Sequence, residues 1–308
     1  MRDTFAARLA ELAATNPRIS LITGDLGFGV LTSFAAAFPN QFLNAGVAEQ
    51  NMTGVATGLA MTGRTVFTYS IANFPTLRCL EQIRNDVAYH RADVKIVAIG
   101  GGFSYGPLGM SHHATEDLAI MRAIPELLVL APGCRWEVRE ALDALVATPG
   151  PAYMRLDKSS AGNTGTPGEK FVIGRARTVR AGTACTLIAA GGILGVALEA
   201  ATSLATQGVH CRVLSMHTIK PLDTEAVIAA ARETGGIVTI EEHVLEGGLG
   251  GAVAECCLDH GVVPAGFHRI GLRGGFASEV GSQNFLRQRH GMDAAAIEHA
   301  VRKCLTPR

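Results

Sequence analysis

The sequence has few charged residues and no excess of either sign. Asp, Glu, Lys and Arg make up 18% of its 308 residues, and 27 Lys plus Arg balance 27 Asp plus Glu. Without a basic face, the chain is not expected to bind nucleic acid. No apolar run free of charge or proline reaches the ~18 to 20 residues that a membrane span needs, so no membrane partner is expected.

The seven cysteines are scattered, with no CxxC pair and no metal-ligand spacing. Such a set predicts neither a disulfide framework nor a metal site, and it is typical of reduced thiols in the cytosol. The stretch 1–17 has the pattern of an amphipathic helix and lacks the apolar core of a signal peptide. We therefore expect a cytoplasmic protein.

Short apolar runs alternate with longer helical patterns, which is typical of βαβ units with mostly parallel sheets. The hydrophobic content of 48% suits sheets covered by helices on both faces. In the first half, strands are predicted at 19–26, 64–70, 94–101, 127–132 and 151–156, with helices at 46–62, 76–90, 115–123 and 134–146. In the second half, strands are predicted at 185–191, 210–216, 236–242 and 268–272, with helices at 193–207, 223–233, 249–259 and 293–304.

A segment rich in Gly, Ser, Thr and Pro, DKSSAGNTGTPGEK at 157–170, separates the two series. The predicted fold class is α/β, with two domains joined near residue 165. We place the first domain at 1–160, the linker at 161–172 and the second domain at 173–308.

The stretch NAGVAEQNM at 44–52 puts one carboxylate in the most apolar part of the sequence. Between Asp25 and Arg64, Glu49 is the only formally charged residue. In the first turn of a helix the dipole favours a Glu, and such a residue ordinarily faces solvent. Here no nearby Lys or Arg indicates a solvent-exposed helix face, and burying a carboxylate without a partner is costly. We predict that Glu49 is buried and that its partner is a ligand.

This stretch and its continuation, NAGVAEQNMTGVATGLAMTGRTVFTYS, resemble the pyrimidine-binding segment of thiamine diphosphate enzymes of the transketolase family. Four further pieces match the family in order: EQIRNDVAYH (81–90), GPLGMSHHATEDLAIMRAIP (106–125), PAYMRL (151–156) and TIEEHVLEGGLGGAVAE (239–255). The resemblance covers nearly the whole chain. It corresponds to the C-terminal section of a transketolase, which comprises the pyrimidine-binding domain and the C-terminal domain.

The resemblance implies that Glu49 hydrogen-bonds N1′ of the aminopyrimidine ring of thiamine diphosphate. It also implies that an aromatic side chain of the loop TYSIANFPT (68–76) stacks on that ring. Phe74 is the first candidate and Tyr69 the second, each with ordinary core packing as the alternative. Asp25 resembles an acid close to the cofactor, although a helix N-cap or turn role fits it equally well.

On the substrate side, the resemblance implies that His112 hydrogen-bonds a substrate oxygen or relays a proton near neutral pH. His113 stands where the family usually has Gln and is a second candidate. Arg155 matches an Arg that binds phosphate in the family, with pairing to Asp157 as the alternative. Arg78 is a further candidate ligand for a substrate anion, since a guanidinium fork suits such groups.

Leu108 departs from the family, because many sugar-using members carry an Asp four residues before the substrate-facing His. This departure puts the usual recognition of a sugar hydroxyl in doubt. A second departure is the diphosphate motif, GDG followed by Asn about 25 to 30 residues later, of which the chain has no copy. The GDL at 24–26 lacks the third glycine that lets the backbone approach a phosphate.

The resemblance therefore implies a split enzyme in which another chain carries the diphosphate motif. That chain would hold most of the required Mg²⁺ or Ca²⁺, in an α2β2 assembly. The predicted function is transfer of a two-carbon ketol unit from a phosphorylated or otherwise anionic ketose to an aldehyde. The alternatives are the β subunit of a 2-oxo acid dehydrogenase E1 component, a deoxyxylulose phosphate synthase-like enzyme, and a non-catalytic scaffold.

Overall fold

The structure is a computed structural model that describes residues 1–306. The elements of the first half are α1 (Arg2–Thr15), β1 (Ile19–Thr23), α2 (Thr32–Ala37), β2 (Phe42–Asn44), α3 (Glu49–Met61), β3 (Thr65–Ile71), α4 (Leu80–Gln82, continued as a π-helix over Ile83–Ala88), β4 (Val94–Ile99), α5 (Asp117–Ala123), β5 (Leu128–Leu130), α6 (Arg135–Ala147) and β6 (Ala152–Leu156).

The elements of the second half are β7 (Arg177–Arg180), β8 (Thr186–Ala190), α7 (Leu194–Ala205), β9 (Arg212–Ser215), β10 (Thr218–Lys220), α8 (Thr224–Glu233), β11 (Ile237–Val244), α9 (Leu249–Asp259), β12 (Phe267–Leu272), α10 (Gln283–Arg289) and α11 (Ala294–Leu305). The last two residues of the predicted second domain, 307 and 308, lie outside the described residues. Every predicted strand and helix is present, α9 with the predicted ends and the others with ends shifted by a few residues, whereas α2, β2, β7, β10 and α10 were not predicted.

The first sheet has seven strands in the order β10-β5-β6-β4-β3-β1-β2. Strands β1 to β6 run parallel, and β10, from the second half of the chain, pairs antiparallel with β5. Strands β1, β4 and β6 are buried along their whole length. Helices α1 and α6 pack on one face of this sheet, and α3 and the π-helix pack on the other. This double cover explains why these strands read as continuous apolar runs.

The second sheet has five strands in the order β12-β11-β8-β9-β7, all parallel except the edge strand β7. One apolar cluster runs from the α3 side of the first sheet to α8 and α9 against the second sheet. The predicted fold class, two α/β domains with mostly parallel sheets, is confirmed. Among the described residues, no helix is long and apolar enough to cross a membrane.

A buried charge network centred on Arg155 lies where the two sheets meet. Arg155 on β6 is 1% exposed, and its guanidinium donates to Asp157 (3.1 Å) and Asp117 (3.2 Å). It also donates to the backbone carbonyl of Glu242 on β11, at 2.9 Å. Since two carboxylates and a carbonyl surround the cation, its burial is tolerated.

Glu242 continues this network toward the segment that follows β4. Its carboxylate accepts the backbone N–H of Phe103 and pairs with Arg287 at 2.6 Å. Gly102 makes this approach possible, because a Cβ there would lie 2.5 Å from the Glu242 Cγ and its φ is +58°. The second sheet therefore holds the first part of the segment 100–113 in place.

Three residues other than glycine have a positive φ within residues 1–306: Asp25 (57°), Arg91 (51°) and Glu126 (63°). This conformation costs about 1–2 kcal/mol per residue. Arg91 and Glu126 face each other, with 3.2 Å between Nη2 and Oε1, and their side chains are 71% and 51% exposed. An exposed ion pair contributes no more than about 1 kcal/mol. The pair therefore does not offset the strain at its own two residues.

Replacing Arg155 by Ala should lower the free energy of unfolding by about 3–5 kcal/mol, because Asp117 and Asp157 would lose their cation while staying buried. Denaturant unfolding followed by circular dichroism measures this loss. The matched control is Arg289→Ala, whose ion pair with Glu279 is 61% and 40% exposed. Its loss should leave the free energy of unfolding almost unchanged. Equal losses in the two variants would contradict the stabilising role of the buried network.

Candidate active site

The segments that follow the parallel strands of the first sheet meet at one edge. Asp25 follows β1, Glu49 follows β2, Phe74 and Arg78 follow β3, and His112 lies in the segment after β4. In open α/β sheets, ligands bind outside the carboxyl ends of the strands. These predicted residues therefore share the edge at which a site is expected.

Glu49 is the first residue of α3, and its side chain is 2% exposed. The positive end of the helix dipole favours a carboxylate at this position. The end of β1 lies against it, since a Cβ at Gly24 would be 3.2 Å from the Glu49 Cγ. The side chain is thus buried, as predicted.

Glu49 also has a partner within the chain, which was not predicted. Arg78 Nη1 lies 2.7 Å from Glu49 Oε2, although 29 residues separate the two in sequence. The prediction counted only nearby charges, whereas the loop after β3 brings Arg78 back to the start of α3. No hydrogen bond to the other oxygen, Oε1, is found among the described residues, so this oxygen can accept a further partner.

Phe74 lies beside this ion pair. Its ring is partly buried, and the guanidinium carbon of Arg78 lies 4.9 Å from the ring centre. The His112 ring meets it edge-on, with 5.3 Å between the ring centres. The structure therefore brings Glu49, Arg78, Phe74 and His112 together in one chain of contacts.

His112 is partly exposed, and its Nδ1 lies 3.0 Å from the hydroxyl of Ser111. Burial lowers the pKa of His112 below its ordinary value of 6.5, and the neighbouring His113 lowers it further. The imidazole is therefore mostly neutral at pH 7, with one nitrogen able to donate and the other able to accept.

His113 lies on the inner side of this segment, and its predicted role in substrate binding stays a prediction. The side chain is 3% exposed, with Nε2 3.3 Å from the carbonyl oxygen of Gly106. Its ring meets Phe103 edge-on at 5.2 Å. The side chains of His112 and His113 point in opposite directions. His112 faces the candidate site, and His113 faces the protein interior.

Tyr69 is also directed away from the site, which corrects its prediction as a cofactor-stacking residue. It is 1% exposed and stacks on Phe5 of α1, with 5.7 Å between the ring centres. Side chains alternate along β3, and Tyr69 falls on the face covered by α1 while α3 covers the other. The alternative of core packing is the correct one for this residue.

Arg155 is not available to a substrate anion, which corrects the prediction made for it. Its guanidinium is 1% exposed and is already held by Asp117 and Asp157. The alternative that it pairs with Asp157 is confirmed. The apolar residues on either side of Arg155 in β6 indicate that the whole strand is buried. The Arg155 side chain is buried with it, inside the charge network described above.

Asp25 occupies a tight turn next to Glu49. Its backbone N–H donates to Asn44 Oδ1 at 3.0 Å, and its carboxylate accepts from Asn44 Nδ2 at 3.0 Å. These bonds join the ends of β1 and β2. The turn role is therefore present, and contact with the cofactor stays a prediction.

Lys158 and Tyr105 also lie at this edge and were not predicted from the sequence. Lys158 Nζ lies 3.7 Å from the centre of the Tyr105 ring, and that ring is 6.3 Å from the His112 ring. Burial lowers the pKa of Lys158, and the positive charge of Arg2 lowers it further. Lys158 follows β6 almost directly, which places it at the site edge. The position of Lys158 after a buried strand is the signal that identifies it, whereas the composition of 157–170 indicates only a linker.

Leu108 and Met110 extend the same edge with apolar side chains that are 55% and 53% exposed. Leu108 occupies a short helical turn at Gly106–Leu108, and Met110 begins the next one at Met110–His112. Within residues 1–306, no group of three or more His, Cys, Asp or Glu residues could hold a metal ion.

Two family descriptions match this chain. "Transketolase, pyrimidine binding domain" matches residues 1–163, and "Transketolase, C-terminal domain" matches residues 174–297. The chain belongs to the transketolase family. Membership implies dependence on thiamine diphosphate, and the resemblance found in the sequence is confirmed.

Similar curated proteins include a 6-deoxy-6-sulfo-D-fructose transketolase subunit from Clostridium sp. (strain MSTE9), 37% identical over 98% of this chain and 93% of that protein. An apulose-4-phosphate transketolase subunit from Phocaeicola vulgatus is 40% identical over 82% of each chain. Deoxyxylulose phosphate synthases also match, but this chain spans less than half of their length. Similarity over nearly whole chains thus favours transketolase subunits over the synthase alternative.

A solved structure described as "Split gene transketolase, inactive beta4 tetramer" has a TM-score of 0.88 and 36% identity to this chain. The match covers 99% of this chain and 97% of that one. The fold is therefore that of a split transketolase chain, and the relatives named as subunits indicate a partner subunit.

The pKa of His112 should lie below 6.5 in a titration of the histidine ring signals by NMR. In His113→Gln it should rise but stay below 6.5, because burial is the larger cause. Since folding lowers this pKa, the stability linked to His112 is present above pH 6.5 and is lost as the pH falls through the folded value. A wild-type pKa at or above 6.5 would contradict the partly buried position of the ring.

Proposed function

We propose that this chain is the C-terminal-section subunit of a split transketolase, which moves a two-carbon ketol unit from an anionic ketose to an aldehyde. The observation that carries the proposal is Glu49, buried at the start of α3 with Oε2 on Arg78 and with no partner for Oε1 among residues 1–306. A scaffold protein would gain nothing from an acid held in this way. Burial of a half-paired carboxylate is favourable only when a ligand completes it.

The residues present fit the pyrimidine end of thiamine diphosphate. Glu49 Oε1 would hold the proton shared with ring nitrogen N1′, and Arg78 keeps Oε2 fixed so that Oε1 has a defined direction. The Phe74 ring lies alongside and is the proposed stacking residue. When bound, the cofactor supplies an electron-accepting thiazolium that stabilises the carbanion of ketol transfer.

The proposed substrate groups are His112, Lys158 and the exposed part of Arg78. His112, neutral at pH 7, would hydrogen-bond a substrate oxygen and pass a proton between substrate and solvent. Lys158 and the exposed part of Arg78 would attract the anionic group of the ketose. The similar subunits are named for a sulfo sugar and a sugar phosphate, and both of these carry a strong anion.

A partner chain would supply the rest of the site. We propose that it carries the GDG…Asn motif, binds the diphosphate and its Mg²⁺ or Ca²⁺, and forms an α2β2 assembly with this chain in the cytosol. The domain limits 1–160, 161–172 and 173–308 remain part of this proposal. The similar β4 tetramer is described as inactive, which is the behaviour expected of chains assembled without such a partner.

Glu49→Gln should reduce ketol transfer by the reconstituted pair about 100-fold or more, because the amide cannot exchange a proton with N1′. The measurement is the rate of thiamine-dependent ketol transfer, with size-exclusion chromatography to show that the complex still forms. Glu233→Gln, at an exposed ion pair with Arg212, is the matched control and should keep full activity. Normal turnover in Glu49→Gln would refute the role of this carboxylate.

Lys158→Ala should raise KM for an anionic ketose donor by about tenfold, which corresponds to about 1.4 kcal/mol of lost binding. The kcat should change little, because the charge contacts the substrate away from the reacting carbon. A neutral ketose measured in parallel serves as the control and should show almost no change in KM. The same change for both donors would exclude Lys158 as an anion ligand.

A further inference from the structure

A second pocket, with a volume of about 340 Å³, lies at the opposite edge of the first sheet from Glu49. Arg84, Tyr89 and Arg91 line one side. Arg84 lies in the first turn of the π-helix, and Tyr89 and Arg91 lie in the turn between that helix and β4. Glu126 lines the other, in the turn between α5 and β5. These turns precede β4 and β5, so the pocket lies at the amino ends of these two strands. None of its residues takes part in the candidate active site.

The backbone of this pocket is strained at two side-chain-bearing positions. Arg91 and Glu126 both adopt a positive φ, the conformation in which glycine is the favoured residue. The third such residue among residues 1–306 is Asp25, in the turn beside Glu49. At Arg91 this conformation ends the helix, with the Arg91 N–H donating to Ala88 O at 3.0 Å and the Ala92 N–H donating to Val87 O at 2.9 Å, a cap at which glycine is the usual residue. The exposed pair with Glu126 adds little stability, so the cap explains the backbone of Arg91 and leaves its charged side chain available for another role.

The charge of the pocket suits an anion. Arg84 bonds the neutral Asn85 side chain at 2.8 Å, and no carboxylate pairs with its guanidinium among the described residues. Arg91 is held by Glu126, at the surface. The lining of the pocket thus carries two guanidinium groups and one carboxylate. A phosphate group could bind both arginines by displacing Glu126, because planar guanidinium groups bind phosphate through paired hydrogen bonds.

The remaining lining is apolar and aromatic. Ala88, Ile124 and Pro125 form it, and the Tyr89 side chain is 82% exposed beside them. An exposed aromatic ring next to two cations can stack on a planar group that carries a negative charge. An inorganic anion alone would leave this surface uncovered.

We propose that this pocket binds a small phosphate monoester with a planar apolar group. The phosphate lies between Arg84 and Arg91, and the planar group lies on Tyr89 and the Pro125 side. Binding releases Glu126 from Arg91 to solvent.

Isothermal titration calorimetry of the full chain with phenyl phosphate, in phosphate-free buffer at constant ionic strength, tests the proposal. We expect saturable binding with one site per chain in this pocket, and weaker binding of inorganic phosphate. Arg84→Ala should weaken phenyl phosphate binding at least tenfold, while Arg289→Ala, the loss of an exposed arginine elsewhere, should leave it unchanged. Binding that does not saturate, or that is the same in Arg84→Ala, would overturn the proposal.

Phosphate could also bind near Lys158 at the candidate active site, and a second variant separates the two places. Binding at the pocket should persist in Lys158→Ala and should be weakened in Arg84→Ala. The reverse pattern would assign all the observed binding to the candidate active site and would refute the pocket.

Arg91→Gly tests the strain. It should raise the midpoint of thermal unfolding, because glycine adopts this backbone conformation without cost, and it should abolish phenyl phosphate binding. A lower midpoint would show that the Arg91 side chain stabilises the fold, and the argument from strain would fail.

Discussion

The candidate site depends on one ion pair, between the Glu49 carboxylate and the Arg78 guanidinium. A carboxylate at 2% exposure is unfavourable unless a cation or several donors meet it. The dipole of α3 contributes, and Arg78 supplies the charge. Because Arg78 belongs to the loop after β3 and also lies over Phe74, the same pair sets the position of the aromatic ring. The other oxygen of Glu49, Oε1, has a fixed direction and is available to a ligand.

The fold could be predicted because strands covered on both faces are continuously apolar and the helices between them are amphipathic or small-residue rich. The same reasoning could not find β2, β7 or β10. Each has only three or four residues and lies at or near a sheet edge, too short for any period to show. Sequence patterns also could not show that β10, which belongs to the second half of the chain, pairs with β5 of the first sheet. Packing between segments that are distant in sequence decides such a pairing.

The edge that carries the site could also be predicted, because every candidate follows a strand. The direction of each side chain could not. Tyr69 and Phe74 are both aromatic and close in sequence, yet one packs against α1 and the other reaches His112. Arg155 looked like an anion ligand because its acidic partner Asp117 is 38 residues away. Family resemblance located the loops, and only the packed structure separated side chains that face the site from those that face the core.

Strand β10 also has a consequence for how the gene can be divided. Thr218 and Lys220 pair with β5, and Lys220 Nζ donates to backbone carbonyls at the end of α5 and just after it. A fragment that stopped in the glycine-rich linker would leave β5 as a bare edge, open to pairing with other chains. The linker is thus a poor breakpoint despite its composition. The two halves should therefore be expressed as one unit.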